Sequence, residues 1–226
     1  MALLEIDTPH GPARVHLHTA EDPRAALVLG HGAAGGVEAP DLRAATAAAL
    51  PERFTVALVE QPYRVAGRRS PAPAARLDAA WLLVVEQLRA AELAGLPLVV
   101  GGRSLGARVA CRTAEATGAA AVLCLAFPLE PPRRGDKPRQ SRLPELDGVT
   151  VPTLVVQGER DPFGMPPPGP TREVVKVAGD HGLKADLAAV EQAVRAWLPR
   201  VAVEPIRAAA AARRLRRMGG LEPSAE

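Results

Sequence analysis

The 226-residue chain is poor in aromatic residues, cysteines and long apolar runs. Aromatic residues make up only 3% of it and the net charge is +3, so few rings and little excess positive charge are available for binding nucleic acid. Two cysteines are too few for the disulfide framework of a small secreted domain. The longest apolar runs, such as residues 119–125, are far shorter than the roughly 20 residues that cross a bilayer. We therefore expect a protein that binds neither nucleic acid nor a membrane.

The two cysteines and the first residues of the chain favour a cytoplasmic location. Cys111 and Cys124 lie in apolar stretches, which is typical of buried thiols in a reducing compartment. Acidic residues appear as early as Glu5 and Asp7, so the start of the chain has neither the basic residues nor the apolar core of a signal peptide. We expect a cytoplasmic protein.

Charge divides the chain into a nearly neutral body and a basic end. Residues 201–226 hold five arginines and three glutamates, which accounts for +2 of the net charge of +3. Within this end, residues 205–218 have the pattern of a helix that is either solvated or docked on a partner. We predict one folded domain over residues 1–200, followed by a basic helix and tail over residues 201–226.

Short apolar runs alternate with longer stretches of helical period. The predicted strands are 2–7, 13–19, 25–29, 55–59, 98–100, 121–125, 153–156 and 173–177. The first two flank a turn at Gly11 and favour an antiparallel hairpin, whereas the others are mostly continuous apolar runs typical of buried parallel strands. Amphipathic helices are predicted over residues 77–88 and 183–197. This alternation predicts an α/β protein with a wound parallel sheet.

Two proline-rich segments, residues 128–151 and 162–170, are predicted surface loops. Neither can hold a folded lid domain. We therefore expect an open, shallow site with no cap domain above it.

Residues 102–106, Gly-Arg-Ser-Leu-Gly, match the pattern G-x-S-x-G in the context where it carries chemistry. The segment follows the predicted strand 98–100 and precedes a helical stretch to Thr117, so a sharp turn presents the Ser104 hydroxyl at a helix N-terminus. Chance alone supplies roughly 0.03 such motifs in a chain of this composition. Ser104 is the predicted nucleophile, and a turn used only for packing is the alternative.

An activated serine needs a general base and a group that orients the base. Asp161 and His181 each follow directly on a predicted strand. Because the carboxyl ends of parallel strands meet at one edge of a sheet, we expect Ser104, Asp161 and His181 to lie together there. Asp180 is a weaker candidate for the acid, since an adjacent residue has poor geometry for orienting the His181 ring.

A nucleophilic serine also needs backbone amides that stabilise an oxyanion. The amide of Leu105, next to the serine, is one predicted donor. The second is Ala33, because the small residues of the segment 30–36 let the backbone approach a substrate closely. His31 in the same segment is interpreted as a brace for this loop.

The remaining histidines form no convincing ligand set. His16 and His18 share one face of a predicted strand, but no third metal ligand lies near them in sequence, and His10 is a turn residue. We expect neither a metal nor another cofactor.

These motifs resemble those of α/β-hydrolases, in particular the small, lidless, dienelactone-hydrolase-like kind. The resemblance reaches about residue 200 and rests on segments 31–35, 101–108, 157–164 and 180–181. Within the fold they resemble a narrower group that contains bacterial proteins of unassigned substrate and the hydrolase-like domain of a subunit of the animal NSL acetyltransferase complex. The resemblance implies a mostly parallel eight-stranded sheet with an antiparallel second strand, helices on both faces, no cap domain, and Ser104, Asp161 and His181 as the triad. Dienelactone hydrolases proper have cysteine at the elbow, so their substrate is not implied.

The sequence thus predicts a serine hydrolase that cleaves an ester, thioester or similar acyl bond of a small molecule. Tyr63, Arg64 and Arg103 are the predicted substrate-binding residues, and the two arginines are candidates for an anionic substrate group, although arginines are more often solvated or in structural ion pairs. Two alternatives stay open: an interaction scaffold that keeps the fold, and an acyltransferase or peptidase that uses the same nucleophile.

Overall fold

The computed structural model describes residues 1–131 and 140–201. The strands in this part of the chain are β1 Ala2–Ile6, β2 Ala13–His18, β3 Ala25–Gly30, β4 Phe54–Glu60, β5 Leu98–Arg103, β6 Ala121–Leu125, β7 Thr153–Gly158 and β8 Arg172–Val177. They form an eight-stranded sheet in the order β1-β2-β4-β3-β5-β6-β7-β8. The strand β2 is antiparallel to both of its neighbours, and the pairs from β4 to β8 are parallel.

Helices cover both faces of the sheet. They are α1 Pro40–Ala49, α2 Pro62–Val65, α3 Ala74–Ala90, α4 Leu105–Thr117, α5 Leu143–Asp147 and α6, residues 187–201. Adjacent residues of β3 point to opposite faces: Val28 belongs to the same buried cluster as Trp81 of α3, whereas Leu27 belongs to the cluster of Leu42 of α1 and Trp197 of α6. Both faces of the central strands are therefore buried, which explains why these strands are continuous apolar runs.

The predicted α/β-hydrolase architecture is confirmed: a mostly parallel eight-stranded sheet, an antiparallel second strand, and helices on both faces. Between β6 and β7 the described residues contain only the short helix α5, so they hold no cap domain. None of the described helices combines the length and apolar character that crossing a bilayer requires.

Two local predictions were wrong. Leu183 was expected in the last helix, but it lies before the start of α6, buried and with a φ of 49°. The segment 128–151 was expected to be irregular, yet it contains α5, which begins with a proline in its first turn. The predicted helix 205–218 lies outside the described residues. The domain boundary at residue 200 stays a prediction, and α6 reaches the buried Val201.

The order of the central strands determines where a site can form. After β3 the chain passes to β4 on one side, and it then returns to place β5 on the other side of β3. The loops that leave β3 and β5 therefore start side by side at the carboxyl edge of the sheet. In open α/β sheets this switch of direction is where a crevice for a ligand opens.

Candidate active site

Ser104 lies between β5 and α4 in a strained turn. Its φ of 52° and ψ of −104° are rare for a non-glycine residue, and its amide donates a 2.9 Å hydrogen bond to the carbonyl oxygen of Leu125. A Cβ atom at Gly106 would lie 2.2 Å from the carbonyl oxygen of Gly30, and one at Gly102 would lie 2.4 Å from that oxygen. Glycine is therefore required at both ends of the turn, because the elbow rests directly on the backbone of β3.

A chain of hydrogen bonds joins Ser104, His181 and Asp161. Ser104 Oγ lies 2.9 Å from His181 Nε2, and His181 Nδ1 lies 2.8 Å from Asp161 Oδ2. With the hydrogen on Nδ1 bonded to the carboxylate, Nε2 is left to accept the hydrogen of the serine hydroxyl. The side chain of Asp161 is 1% exposed and that of His181 is 18% exposed. The structure thus brings the three predicted residues together at the expected edge of the sheet.

The carboxylate of Asp161 is held by two further donors. Gln157 Nε2 lies 2.8 Å from Asp161 Oδ2, and the amide of Phe163 donates a 2.8 Å hydrogen bond to Oδ1. Gln157 is fully buried at the end of β7, where its Nε2 also lies 3.0 Å from the Phe127 carbonyl oxygen and 2.9 Å from that of Gly164. These contacts fix the direction in which the carboxylate faces the imidazole.

The loop after β8 presents His181 to the other two residues. The Phe163 ring lies against the imidazole, with 4.4 Å between the ring centroids. Asp180, the weaker candidate for the acid, points elsewhere, because its Oδ1 accepts a 2.8 Å hydrogen bond from the amide of Gly182. Asp161 is therefore the carboxylate that meets the histidine.

The loop after β3 is braced by two buried rings. His31 Nδ1 lies 2.8 Å from the Gly32 carbonyl oxygen, and His31 Nε2 accepts a 3.1 Å hydrogen bond from the amide of Gln61. The Tyr63 hydroxyl donates a 3.0 Å hydrogen bond to the Ala33 carbonyl oxygen. Burial lowers the pKa of His31 and raises the pKa of Tyr63 to about 12. Both rings are therefore neutral near pH 7, with the hydrogen of His31 on Nδ1.

The two predicted oxyanion donors lie on adjacent loops. Leu105 begins α4, so its amide is one of the free N-terminal donors of that helix. Ala33 follows β3, whose last residue Gly30 pairs with Gly102 of β5. Among the described residues, neither the Ala33 nor the Leu105 amide has a hydrogen-bond acceptor. Their role as an oxyanion hole stays a prediction.

The three predicted substrate-binding residues have different surroundings. Tyr63 is only 5% exposed, and its hydroxyl is used to brace the loop after β3. Arg103 is engaged in structural contacts with Asp41 and with the backbone of His181. Arg64 forms no ion pair with any residue of the described ranges. A role for Arg64 in substrate binding stays a prediction.

Comparison with known proteins decides the family. The family model described as an alpha/beta hydrolase domain matches residues 23–188, which is most of the chain. The chain belongs to the α/β-hydrolase family. No curated protein matches the sequence of this α/β hydrolase significantly.

Solved structures show the same fold at low sequence identity. A lidless α/β serine hydrolase from Xanthomonas campestris is 20% identical with a TM-score of 0.68, covering 88% of this chain and 94% of that one. Est1E from Butyrivibrio proteoclasticus is 16% identical with a TM-score of 0.71, covering 89% and 99%. A dienelactone hydrolase from Anabaena variabilis is 14% identical with a TM-score of 0.70, covering 88% and 96%. These neighbours share the fold of this chain, and they include a lidless serine hydrolase and a dienelactone hydrolase.

Two residues that hold the site of this α/β hydrolase were missed by sequence reasoning. Gln157 is a polar residue in the otherwise apolar strand β7, and this break in the pattern was the available signal. Asp41 is a fully buried acid in the first turn of α1, where acidic residues are common for reasons of helix stability alone. Its sequence context therefore gave no indication of a link to the site.

The histidines outside the site show no metal-binding arrangement. His16 Nε2 lies 3.8 Å from a carboxylate oxygen of Glu60, which is beyond hydrogen-bond distance. Within residues 1–131 and 140–201, no group of three His, Cys, Asp or Glu side chains is placed to hold a metal ion.

Proposed function

We propose that this α/β hydrolase cleaves an ester, thioester or similar acyl bond of a small molecule through an acyl-enzyme on Ser104. The observation that carries the proposal is the hydrogen-bonded chain from Ser104 Oγ through His181 to Asp161, with distances of 2.9 and 2.8 Å. A serine used only for packing has no need of a histidine that is itself oriented by a buried carboxylate.

In the acylation step Ser104 Oγ attacks the carbonyl carbon while His181 Nε2 takes the hydroxyl proton. Asp161 holds the imidazole in the correct tautomer and stabilises the imidazolium that forms. The amides of Leu105 and Ala33 would bind the oxyanion of the tetrahedral intermediate. When that intermediate collapses, the bond to the leaving group breaks, and His181 returns its proton to the leaving oxygen or sulfur.

In the second half of the reaction water attacks the acyl-enzyme. His181 takes a proton from the water, the ester bond to Ser104 breaks, and the proton passes to the serine oxygen. The products are a carboxylic acid and the alcohol or thiol released earlier. A different acceptor in place of water would make the same site an acyltransferase, and product analysis with added alcohols or amines distinguishes the two.

The structural neighbours support an acyl substrate of modest size. One structure of Est1E, 17% identical to this chain, holds ferulic acid. The described residues place no cap domain above Ser104, so substrate contacts would come from the loops around it. The buried, unlinked thiols of Cys111 and Cys124 agree with a cytoplasmic role.

The first experiment is the intact mass of the protein after exposure to a fluorophosphonate probe. Within the time that labels the wild type fully, we expect one covalent addition to it and none to Ser104→Ala or His181→Ala. Ser141→Ala is the matched control, because Ser141 is exposed and its Oγ accepts a hydrogen bond from the amide of Leu143, so its loss should leave labelling unchanged.

Turnover of short acyl esters and thioesters then tests the reaction itself. Without the nucleophile, only the rate enhancement due to substrate binding and the oxyanion hole would be left. We therefore expect Ser104→Ala to lower kcat by at least about 1,000-fold. Ser104→Ala with wild-type turnover would contradict the proposal. An unlabelled and inactive wild type would instead favour the interaction scaffold.

A further inference from the structure

Arg103, the residue before the nucleophile, touches three separate parts of the site. Its Nε lies 2.9 Å from Asp41 Oδ2 at the start of α1, and its Nη2 donates a 3.1 Å hydrogen bond to the carbonyl oxygen of His181. Its Nη1 lies against the backbone of Gly32, where an added Cβ atom would be only 2.6 Å away. One guanidinium therefore links the loop after β8, which carries His181, to the loop after β3 and to helix α1.

We propose that Arg103 is a positioning residue that fixes the backbone of His181 against the loop after β3, with Asp41 as its buried counter-ion. The proposal rests on the proposed function, since it assigns Arg103 a part in the chemistry of Ser104 and His181. It also replaces the role in substrate binding that the sequence favoured.

The burial of the ion pair supports a built-in structural role. The side chain of Asp41 is fully buried and that of Arg103 is 18% exposed, so each charge depends on the other for compensation. Burial raises the pKa of Asp41, and this rise is opposed by the nearby charge of Arg103 and by the 3.0 Å hydrogen bond that Asp41 Oδ1 accepts from the amide of Leu42. The contact with Arg103 is an ion pair without hydrogen-bond alignment, because the Nε–H does not point at Asp41 Oδ2.

The same geometry leaves little of Arg103 for a substrate anion. Its Nε faces Asp41, its Nη2 faces His181, and its Nη1 lies beside Gly32. The charge of the guanidinium is already balanced by a carboxylate at 2.9 Å. A carboxylated substrate would therefore gain little by approaching it.

The position of the His181 backbone matters because Nε2 of the imidazole must first take the proton of Ser104 and then donate it to the leaving group. Asp161 anchors the ring at Nδ1, and Arg103 anchors the main chain of the same residue. With both anchors, Nε2 stays within reach of Ser104 Oγ and then of the leaving group. A misplacement of about 1 Å in such a group can cost about 100-fold in rate.

The test compares Arg103→Met with wild type on a neutral ester and a carboxylated ester that share one leaving group. We expect kcat to fall about 10- to 100-fold for both esters, with KM unchanged for both. Arg103→Lys should recover part of the loss, because an ammonium reaches either Asp41 or His181 but not both. Arg195→Met is the control, since Arg195 is exposed on α6 and pairs with Glu191 one turn away.

A double-mutant comparison shows whether Arg103 acts through His181. Fluorophosphonate labelling rates are measured for Arg103→Met with His181 present and, over an exposure long enough to detect the residual reaction of Ser104, with His181→Ala. We expect the loss caused by Arg103→Met to disappear in the His181→Ala background. A loss of equal size in both backgrounds would overturn the proposal, and so would a KM increase confined to the carboxylated ester.

A spectroscopic readout separates this proposal from the proposed function. The hydrogen on His181 Nδ1 should give a low-field proton resonance, which we expect to broaden or vanish in Arg103→Met and to persist in Arg195→Met. If Arg103→Met fails to fold, Asp41→Asn replaces it and should show the same broadening and a smaller fall in kcat. A wild type without labelling or turnover would refute the proposed function. If the wild type is active but the resonance and kcat of Arg103→Met and Asp41→Asn are unchanged, only the positioning role of Arg103 is refuted.

Discussion

Protonation of His31 makes the stability of the loop after β3 depend on pH. Burial lowers its pKa, and its Nε2 must stay unprotonated to accept the hydrogen of the Gln61 amide. In the unfolded chain the ring takes up a proton near its ordinary pKa of about 6.5. Between that pH and the lower folded pKa, the unfolded state binds more protons than the folded state. Stability contributed by neutral His31 is therefore present above pH 6.5 and is lost as pH falls below it.

His31→Gln should weaken this pH dependence. The glutamine side chain keeps an acceptor for the Gln61 amide but does not titrate, so the free energy of unfolding should fall less steeply between pH 6.5 and pH 5 than in the wild type. Urea unfolding at several pH values measures the difference. His10→Gln is the control because His10 is exposed. Equal pH slopes in His31→Gln and wild type would contradict the expectation.

The elbow between β5 and α4 is held by contacts between backbones. A Cβ atom at Gly106 would point at the Gly30 carbonyl oxygen at the end of β3, and a Cβ atom at Gly102 would point at the same oxygen. A side chain at either position would have to push two strands or a strand and a helix apart. The positions of the nucleophile and of the loop after β3 are thus determined together.

Gly106→Ala should destabilise the protein by at least about 3 kcal/mol, the upper end of what overpacking usually costs, because its Cβ atom would lie 2.2 Å from a main-chain oxygen. Thermal or urea unfolding measures the loss. Gly35→Ala is the matched control in the loop after β3, since a Cβ atom there meets no atom within 4 Å. Similar stabilities for the two variants would show that the elbow can relax.

For the domain as a whole, the last helix is as much part of the core as the central strands. Trp197 and Leu198 are buried under the sheet, and Val201 is 6% exposed at the last described position. They pack with side chains of α1 and β3 on the same face. The folded domain therefore needs α6 through this position.

A chain that ends at residue 201 should keep the melting temperature and the fluorophosphonate labelling of the full chain. A chain that ends at residue 196 loses the buried side chains of Trp197, Leu198 and Val201 and should be destabilised by more than about 3–5 kcal/mol, the usual cost of removing one buried tryptophan. Differential scanning calorimetry compares the three proteins. A lower melting temperature for the chain ending at residue 201 would place part of the predicted tail in the folded domain.

The sheet and the proximity of Ser104, Asp161 and His181 could be predicted because each follows from a local pattern. Continuous apolar runs indicate strands that are buried on both faces, and Ser104 lies in a motif that requires a strand before it and a helix after it. The start of α6 was missed because a buried leucine gives the same signal in a loop as on a helix. The partners of Arg103 could not be predicted, since Asp41 and His181 lie far from it in sequence and only the folded sheet brings them together.

The separation of the site residues along the chain also bears on how the protein folds. Ser104 and His181 are 77 positions apart, and the parallel strands between them must pair before Oγ and Nε2 can meet. Non-local pairings of this kind form slowly, because the entropy of closing long loops is lost before the contacts are gained. Reactivity toward an active-site probe should therefore be among the last properties to return during refolding. The rate at which probe labelling is recovered can therefore measure when the native structure is complete, both during synthesis on the ribosome and during refolding in vitro.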